Sequence, residues 1–493
     1  MNPNPGPTPS RPTNAPNLNP NPGPTPSRPT NAPIVDPTRR PTPAPTPRPT
    51  GRPTLFPDID PNPVPPFRQP TQSPTRRPTG PPVNEPTRRP TNRPTPIPTY
   101  QDVSSSPTNA PDSGPNPIPP SSNGEIVCGG LTPEERETLI LGQLATYSGR
   151  EITITGTPQN LAYRWLIDDD AIQVCPEDFL NVQQRYILAV LYYATNGDRW
   201  FNCNALSSSN PSQCLGGDSE RFLSSSDVCF WYGISCNRLR VSGISIDENN
   251  LRGELPDEIG YLEQIEDLDF DGELEEGLNY LIGTIPSTFG LLEKLVTLDL
   301  DSNELTGTIP DEIFDADRLT IMDLDSNELT GTLSTKFSNL AELQILFLDN
   351  NGFFGTLPPE MGEMERLRFL RLDRNELSGT IPEAWEAMGK LRVLFLNNNG
   401  GITGALPEYL GDFTDMQQLS LFDTGISGTV PSSLGQLTGL VNLFLHFTDL
   451  TGTMPQEICD LRTSGALNFL TADCAGNNPK LQCSQPDCCT VCF

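Results

Sequence analysis

The stretch LVTLDLDSNELTGTIPDEIFDADR, residues 295–318, decides the fold. Apolar residues stand at its first, fourth and sixth positions, Asn303 at the ninth, Gly307 at the thirteenth and Pro310 at the sixteenth. The same order recurs on both sides of it. Units start at Val241, Ile265, Leu295, Leu319, Leu343, Leu367, Leu391, Met416 and Leu440, at spacings of 24, 30, 24, 24, 24, 24, 25 and 24. A fixed period of this length marks a repeat architecture. One unit cannot bury its own apolar face, so the stack is the folding unit and its ends need caps.

Each position has a physical task. Positions 1, 4 and 6 point inward from a short strand and stack as apolar columns. Asn at position 9 (Asn249, Asn303, Asn327, Asn351, Asn375, Asn399) satisfies backbone groups where the chain turns, and Asn279 takes that place after an insertion in the second unit. Glycine holds position 13 in all nine units, from Gly253 to Gly452, where a missing Cβ permits a tight bend or close approach. Proline follows two or three residues later in eight units, with Ser334 the exception. The template LxxLxLxxNxLxGxIPxxLGxLxx resembles the plant-type subclass of leucine-rich repeats, found in extracellular receptors and inhibitors. The resemblance covers 241–460. It implies an α/β fold: a right-handed leucine-rich-repeat solenoid with a parallel sheet on its concave face.

The flanks differ from the array. Residues 124–240 read as a helical, cysteine-containing cap. Thr132-Pro133-Glu134-Glu135 has the order of an N-cap, a first-turn proline and early acids, and Thr157-Pro158 repeats that start. A third helix is predicted from about 177 to 194, with Phe179, Val182, Tyr186, Ile187, Val190 and Leu191 on one stripe and a stop near Asn196-Gly197. Six cysteines precede the array and six follow or end it, the last of them in a Cys-rich C-terminal cap at 461–493. CFWYGISC at 229–236 resembles the C-x-W-x-G-V-x-C cap of plant-type repeats, which implies a Cys229–Cys236 bond. Cys203 and Cys214 form a plausible local pair. The six C-terminal cysteines allow 15 pairings, and a zinc cluster of Cys483, Cys488, Cys489 and Cys492 is the competing reading, with unorthodox spacing and no histidine to assist. Disulfides need an oxidising compartment, which places the chain outside the cell or at its surface.

Residues 1–123 read as a disordered stalk rich in Pro, Thr and Arg, holding 40 of the 55 prolines. Its 12 Arg against 6 acids leave +6, whereas the remaining 20 bases and 56 acids leave −36. PTRRPT occurs at 37–42, 74–79 and 86–91. Such a segment favours extended polyproline II. The start MNPNPGPTPSRPT lacks the basic and apolar parts of a secretory signal, so an upstream signal or anchor is expected outside this sequence. The stalk, repeats and CCTVCF ending also resemble diatom cell-surface repeat proteins, which implies that any membrane link runs through such an anchor. The acidic body argues against nucleic acid as a partner. The single histidine, His446, excludes multi-His zinc sites and leaves one candidate for any Ser-His or Cys-His chemistry. No enzyme is expected.

The expected ligand-binding surface is the concave face, where positions 5 and 7 are exposed. Position 7 is Asp in six successive units: Asp247, Asp271, Asp301, Asp325, Asp349 and Asp373. Position 5 adds Asp269, Asp299 and Asp323. Strands lie about 4.8 Å apart, and like charges that close repel by roughly 1 kcal/mol in water and more where water is excluded. The ladder therefore calls for a basic ligand or Ca²⁺, with no other cofactor indicated. Arg371 is expected to pair with it. Plant peptide receptors of this family often present an Arg-x-Arg pair, and Asp373 replaces the second Arg here. Phe347, Phe369, Phe395, Phe422, Phe444 and Phe447, with His446 among them, form a candidate aromatic patch at the other end. A further face carries columns of Thr, and regular Thr arrays can bind ice. The function expected is non-enzymatic recognition or adhesion toward a protein or glycan. Inhibition of wall-degrading enzymes is the alternative.

Overall fold

The computed structural model describes residues 128–205, 214, 219–272, 279–483, 485 and 488–493. These all belong to one compact unit, and the predicted stalk lies outside the described residues. Helix α1 (Pro133–Ser148) starts as its sequence dictates. Thr132 accepts from the Glu135 N–H, and the Glu135 carboxylate accepts from the Thr132 N–H at 2.8 Å, a reciprocal capping box. Helix α2 (Pro158–Arg164) is capped by Thr157, which accepts from the Asn160 N–H at 3.1 Å. Helix α3 (Phe179–Ala194) stops where Asn196 turns left-handed at φ 57°. Its predicted stripe is buried except for Phe179, which is 47% exposed because it sits on the first, uncovered turn.

The cap has a charged centre that no periodicity announces. Arg185 on α3 makes a paired contact with Asp170, at 2.8 Å through Nε and 2.6 Å through a terminal nitrogen. Its guanidinium lies 5.2 Å from the Trp165 ring and 5.1 Å from the Trp231 ring. It also donates to the carbonyls of Ser224 and Ser226. With every polar atom answered, the buried pair joins the helices to the CFWYGISC segment instead of destabilising them.

The repeats then build a twelve-stranded sheet: β1 (Ile234–Asn237), β2 (Arg240–Ser245), β3 (Asp267–Asp269), β4 (Thr297–Asp299), β5 (Ile321–Asp323), β6 (Ile345–Phe347), β7 (Phe369–Arg371), β8 (Val393–Phe395), β9 (Gln418–Ser420), β10 (Asn442–Phe444), β11 (Phe469–Ala472) and β12 (Val491–Cys492). β1 pairs antiparallel with β2, and every later pairing is parallel and in sequence order. The sheet thus runs past the nine repeats at both ends, into the caps. Residues at positions 1, 4 and 6, such as Leu295, Leu298 and Leu300, are fully buried. Behind them eight coils make a short 3-10 turn, started by proline as at Pro310 before Asp311–Asp315 except where Ser334 stands, and the ninth runs from Pro455 into the helix Gln456–Ser464. Phe289, Phe314 and Phe337 fill the core from that side.

The polar template positions satisfy the backbone. Asn303 donates to the carbonyls of Phe270, Leu300 and Asp301 and accepts from the Leu281 N–H. Asn279 does the same after the insertion, donating to Ile246, Phe270 and Asp271. The position-13 glycine serves two needs at once. Gly331 has φ +100°, and a Cβ there would stand 2.8 Å from the Thr308 methyl. That methyl seats on the bare Cα of the next coil, so Thr at position 14 and Gly at position 13 are one packing device. The inner Thr column is also occupied: Thr306 and Thr330 donate to the carbonyls of Gly283 and Gly307. Both Thr columns of the candidate ice face therefore serve the stack.

All twelve cysteines are paired. Cys203–Cys214 and Cys229–Cys236 form as expected, and Cys128 joins Cys175. The C-terminal connectivity is Cys459–Cys488, Cys474–Cys492 and Cys483–Cys489, which uses up the four thiols of the zinc alternative.

Candidate ligand-binding face

Strand register aligns position 5 into one column. Ser245, Asp269, Asp299, Asp323, Phe347, Arg371, Phe395, Ser420, Phe444 and Thr471 are successive partners across the sheet. The face is therefore acidic over β3–β5 and aromatic from β6 onward, with Arg371 set into the aromatic part.

The acids are less exposed than the sequence suggests. Asp271, Asp349 and Asp373 are buried, at 6%, 2% and 3% exposure. Asp247, Asp269, Asp299, Asp301, Asp323 and Asp325 are half-buried. An aspartate is short, and at the close strand spacing the flanking columns stand taller than it does. Ser245 donates to Asp269 at 3.0 Å, and Ser302 to Asp301 at 2.9 Å. The Asp325 N–H donates to Asp323 at 3.3 Å. Carboxylate oxygens of Asp269, Asp271 and Asp299 lie within 4.8 Å of one another. Burial pushes the Asp269 carboxyl up to about 6, helped by Asp247. Asp299 is raised further, by burial first and then by Asp323. Burial raises Asp323 well above its ordinary value, with Asp325 and Asp301 adding to it.

Arg371 meets the ladder as expected. It donates to Asp349 at 2.8 Å, and its guanidinium lies 5.2 Å from the Phe347 ring and 5.8 Å from the Phe395 ring. Its Nε lies 3.9 Å from the nearer Asp373 oxygen, too far to bond. Among the described residues, Oδ1 of Asp269, Asp349 and Asp373 and Nε of Arg371 are buried without a hydrogen-bond partner.

The aromatic half divides. Phe369, predicted exposed, is buried at 8%. It stands at position 3, where Ile345, Val393, Gln418 and Asn442 are buried with it and the column closes over itself. Phe347, Phe395, Phe422 and Phe444 are half-buried, and Phe447 is 56% exposed. His446 stacks between Phe422 at 4.6 Å and Phe493 at 4.2 Å, while Phe447 meets its edge at 5.0 Å. Its Nδ1 lies 2.7 Å from the Thr471 hydroxyl. Burial lowers its pKa, against Asp473 and Asp423. Phe493, the last residue, was not among the expected site residues. Only the C-terminal cap's folding places it there, and no spacing signals that.

The leucine rich repeat family profiles match residues 293–353 and 366–388. The array is made of leucine-rich repeats. Over 86 residues the chain is 35% identical to phytosulfokine receptor 1 of Arabidopsis thaliana, covering 17% of this chain and 8% of that one. Among solved structures, it is similar to the ectodomain of the Arabidopsis thaliana receptor kinase GASSHO1/SCHENGEN3 in complex with CASPARIAN STRIP INTEGRITY FACTOR 2. That match has 27% identity, 56% coverage of this chain, 34% of the other, and a TM-score of 0.46. A plant ice-binding protein matches at 22% identity, covering 62% of this chain and 98% of the other, with a TM-score of 0.44. The chain thus spans a small part of the curated receptor and about a third of the solved ectodomain. Among the described residues, no helix is long and apolar enough to cross a membrane.

Proposed function

We propose that the protein is a non-enzymatic recognition module, extracellular or at the cell surface, that binds a polypeptide partner through the outer face of the twelve-stranded sheet. The observation that carries this reading is the position-5 column, where three aspartates, an arginine and three phenylalanines stand in register on a rigid surface. Charge and aromatic anchors side by side are what a protein interface uses for orientation and affinity. Leucine-rich-repeat domains are ordinarily binding modules, the six disulfides favour an exported chain, and the proline-rich segment suits a stalk.

The test is capture of extracellular proteins by the full chain and by Phe395→Ser/Phe444→Ser. The variant should fold with unchanged circular dichroism and lose the partners captured by wild type, while Thr332→Ser/Thr380→Ser in the position-14 column, outside the position-5 and position-7 columns, keeps them. Equal capture by the aromatic variant would remove this reading. Basic glycanases belong in the screen, because their selective capture would support the inhibitor role. A second reading rests on the three clustered carboxylates of Asp269, Asp271 and Asp299, whose spacing suits Ca²⁺. Calcium should then raise Tm over chelator, and an unchanged Tm removes it.

A further inference from the structure

Resting on that reading of the strand face, we infer that its partner is an arginine-bearing, proline-rich segment, and that a second copy of this chain supplies one: PTRRPT at 86–91. Four observations converge on this occupant. The first is charge. The body of the chain carries −36 against +6 in residues 1–123, so two bodies repel and the oppositely charged part of a second copy is its tail. Within the position-5 and position-7 columns Arg371 is the one guanidinium, set against nine aspartates.

The second is unmet acceptors. Asp349 and Asp373 are more than nine-tenths buried, and each keeps a carboxylate oxygen with no hydrogen-bond donor. Such an oxygen loses its hydration without a replacement. A guanidinium offers five N–H donors in a planar fork suited to carboxylates. The third is Arg371 Nε, buried without a hydrogen-bond partner and 3.9 Å from Asp373 Oδ1, a loose contact that must open for a segment to reach it. A polyproline II segment makes no internal hydrogen bonds, so its carbonyls are free to accept there.

The fourth is apolar lining and length. Phe347 and Phe395 flank Arg371 in the column. Aromatic-lined grooves are how proline-rich segments are recognised. A five-residue stretch such as PTRRP spans about 12 Å from first to last residue at polyproline II rise. That is between two and three strand spacings, the reach from Asp323 past Phe347 and Arg371 toward Phe395. Since the docking segment and the face are different surfaces, the contact is head-to-tail and extends into open chains.

The test is sedimentation velocity on the full chain over a range of concentrations. Wild type should associate with rising concentration at low salt and return to monomer at high salt. One variant replaces the paired arginines of the three PTRRPT motifs with Gln, at 39, 40, 76, 77, 88 and 89. The other is Asp323→Asn/Asp373→Asn. Each alone should remain monomeric, and a mixture should form dimers, because one keeps the face and the other keeps the segment. That rescue also shows that both variants are folded. A wild type that stays monomeric at low salt, or association that survives the Arg→Gln changes, overturns the inference. Should external partners still depend on Phe395 and Phe444 in that case, the recognition reading stands and self-association alone falls.

Discussion

Ser334 stands where eight other repeats place proline, yet its coil is built like theirs. Its backbone angles, φ −73° and ψ 140°, match those of Pro310 at −62° and 140°. The hydroxyl replaces the ring as the starter of the 3-10 turn by accepting from the Lys336 N–H at 3.2 Å. Two single substitutions separate hydroxyl from ring. Ser334→Ala removes the cap without preorganising the backbone and should cost about 1 kcal/mol. Ser334→Pro loses the hydrogen bond but fixes φ near its native value, which by itself stabilises by about 0.4–1 kcal/mol through the unfolded chain. The expected order in urea denaturation is Ala below wild type, with Pro at or above it. If Ser334→Ala is neutral, the hydroxyl is not the cap.

At the scale of the strand, stacking sets stability against function. Each Asp of β3–β5 is brought beside the next by the same register that stacks the leucines below. Asp323 holds its Asp325 N–H contact through an oxygen that Asn also has. Asp323→Asn should therefore keep the geometry and remove the cost of ionising a buried carboxyl beside other acids, raising stability at neutral pH by about 1–3 kcal/mol on the scale of close like charges in a partly dry site. The pH dependence has a definite sign. Folding raises these carboxyl pKa values, that of Asp269 from 3.8 to about 6 and those of Asp299 and Asp323 further. The folded state then holds more protons than the unfolded one, so stability is greatest near pH 4 and falls as pH rises through 6 and beyond. Thermal melts across that range should show wild-type Tm declining, and a smaller decline in Asp323→Asn. A flat wild-type profile would contradict the burial of these acids. The strands, their inward leucines, the asparagine ladder and the glycines were legible in the sequence because each recurs at a fixed interval. The burial of Asp349, Asp373 and Phe369 was not, because it depends on how tall the neighbouring columns are, and position in the repeat does not report that. The partners of Arg185 and His446 were hidden for another reason. Asp170, Trp165 and Trp231, like Phe493, come from non-repeating segments whose path the period does not constrain.

Across the whole molecule, cross-links and repeats divide the work. Each inner coil is held by its two neighbours, whereas the first and last have an open side that would expose apolar columns. The disulfides lie at those ends, and none lies between Cys236 and Cys459. At the N-terminal end the seal also has a polar seam: Glu258 of the first repeat, buried, accepts from Ser148 at the end of α1, and Ser148 in turn contacts Tyr186 of α3 at 2.7 Å. At the C-terminal end α4 (Gln456–Ser464), β11 and β12 depend on three cross-links within a short, loop-rich stretch. A thiol reductant should thus loosen the two ends unequally while sparing the middle. In hydrogen exchange after reduction, amides of β11 and β12 should lose protection first. Those of β1 and β2 should follow, slowed by the Arg185–Asp170 pair and the Glu258 seam. Amides of β4 through β9 should keep theirs until the ends have frayed inward. Cooperative loss of protection along the whole sheet, with no lag in β4–β9, would mean that the caps and the array are a single folding unit. In that event the disulfides stabilise the stack globally instead of sealing its ends.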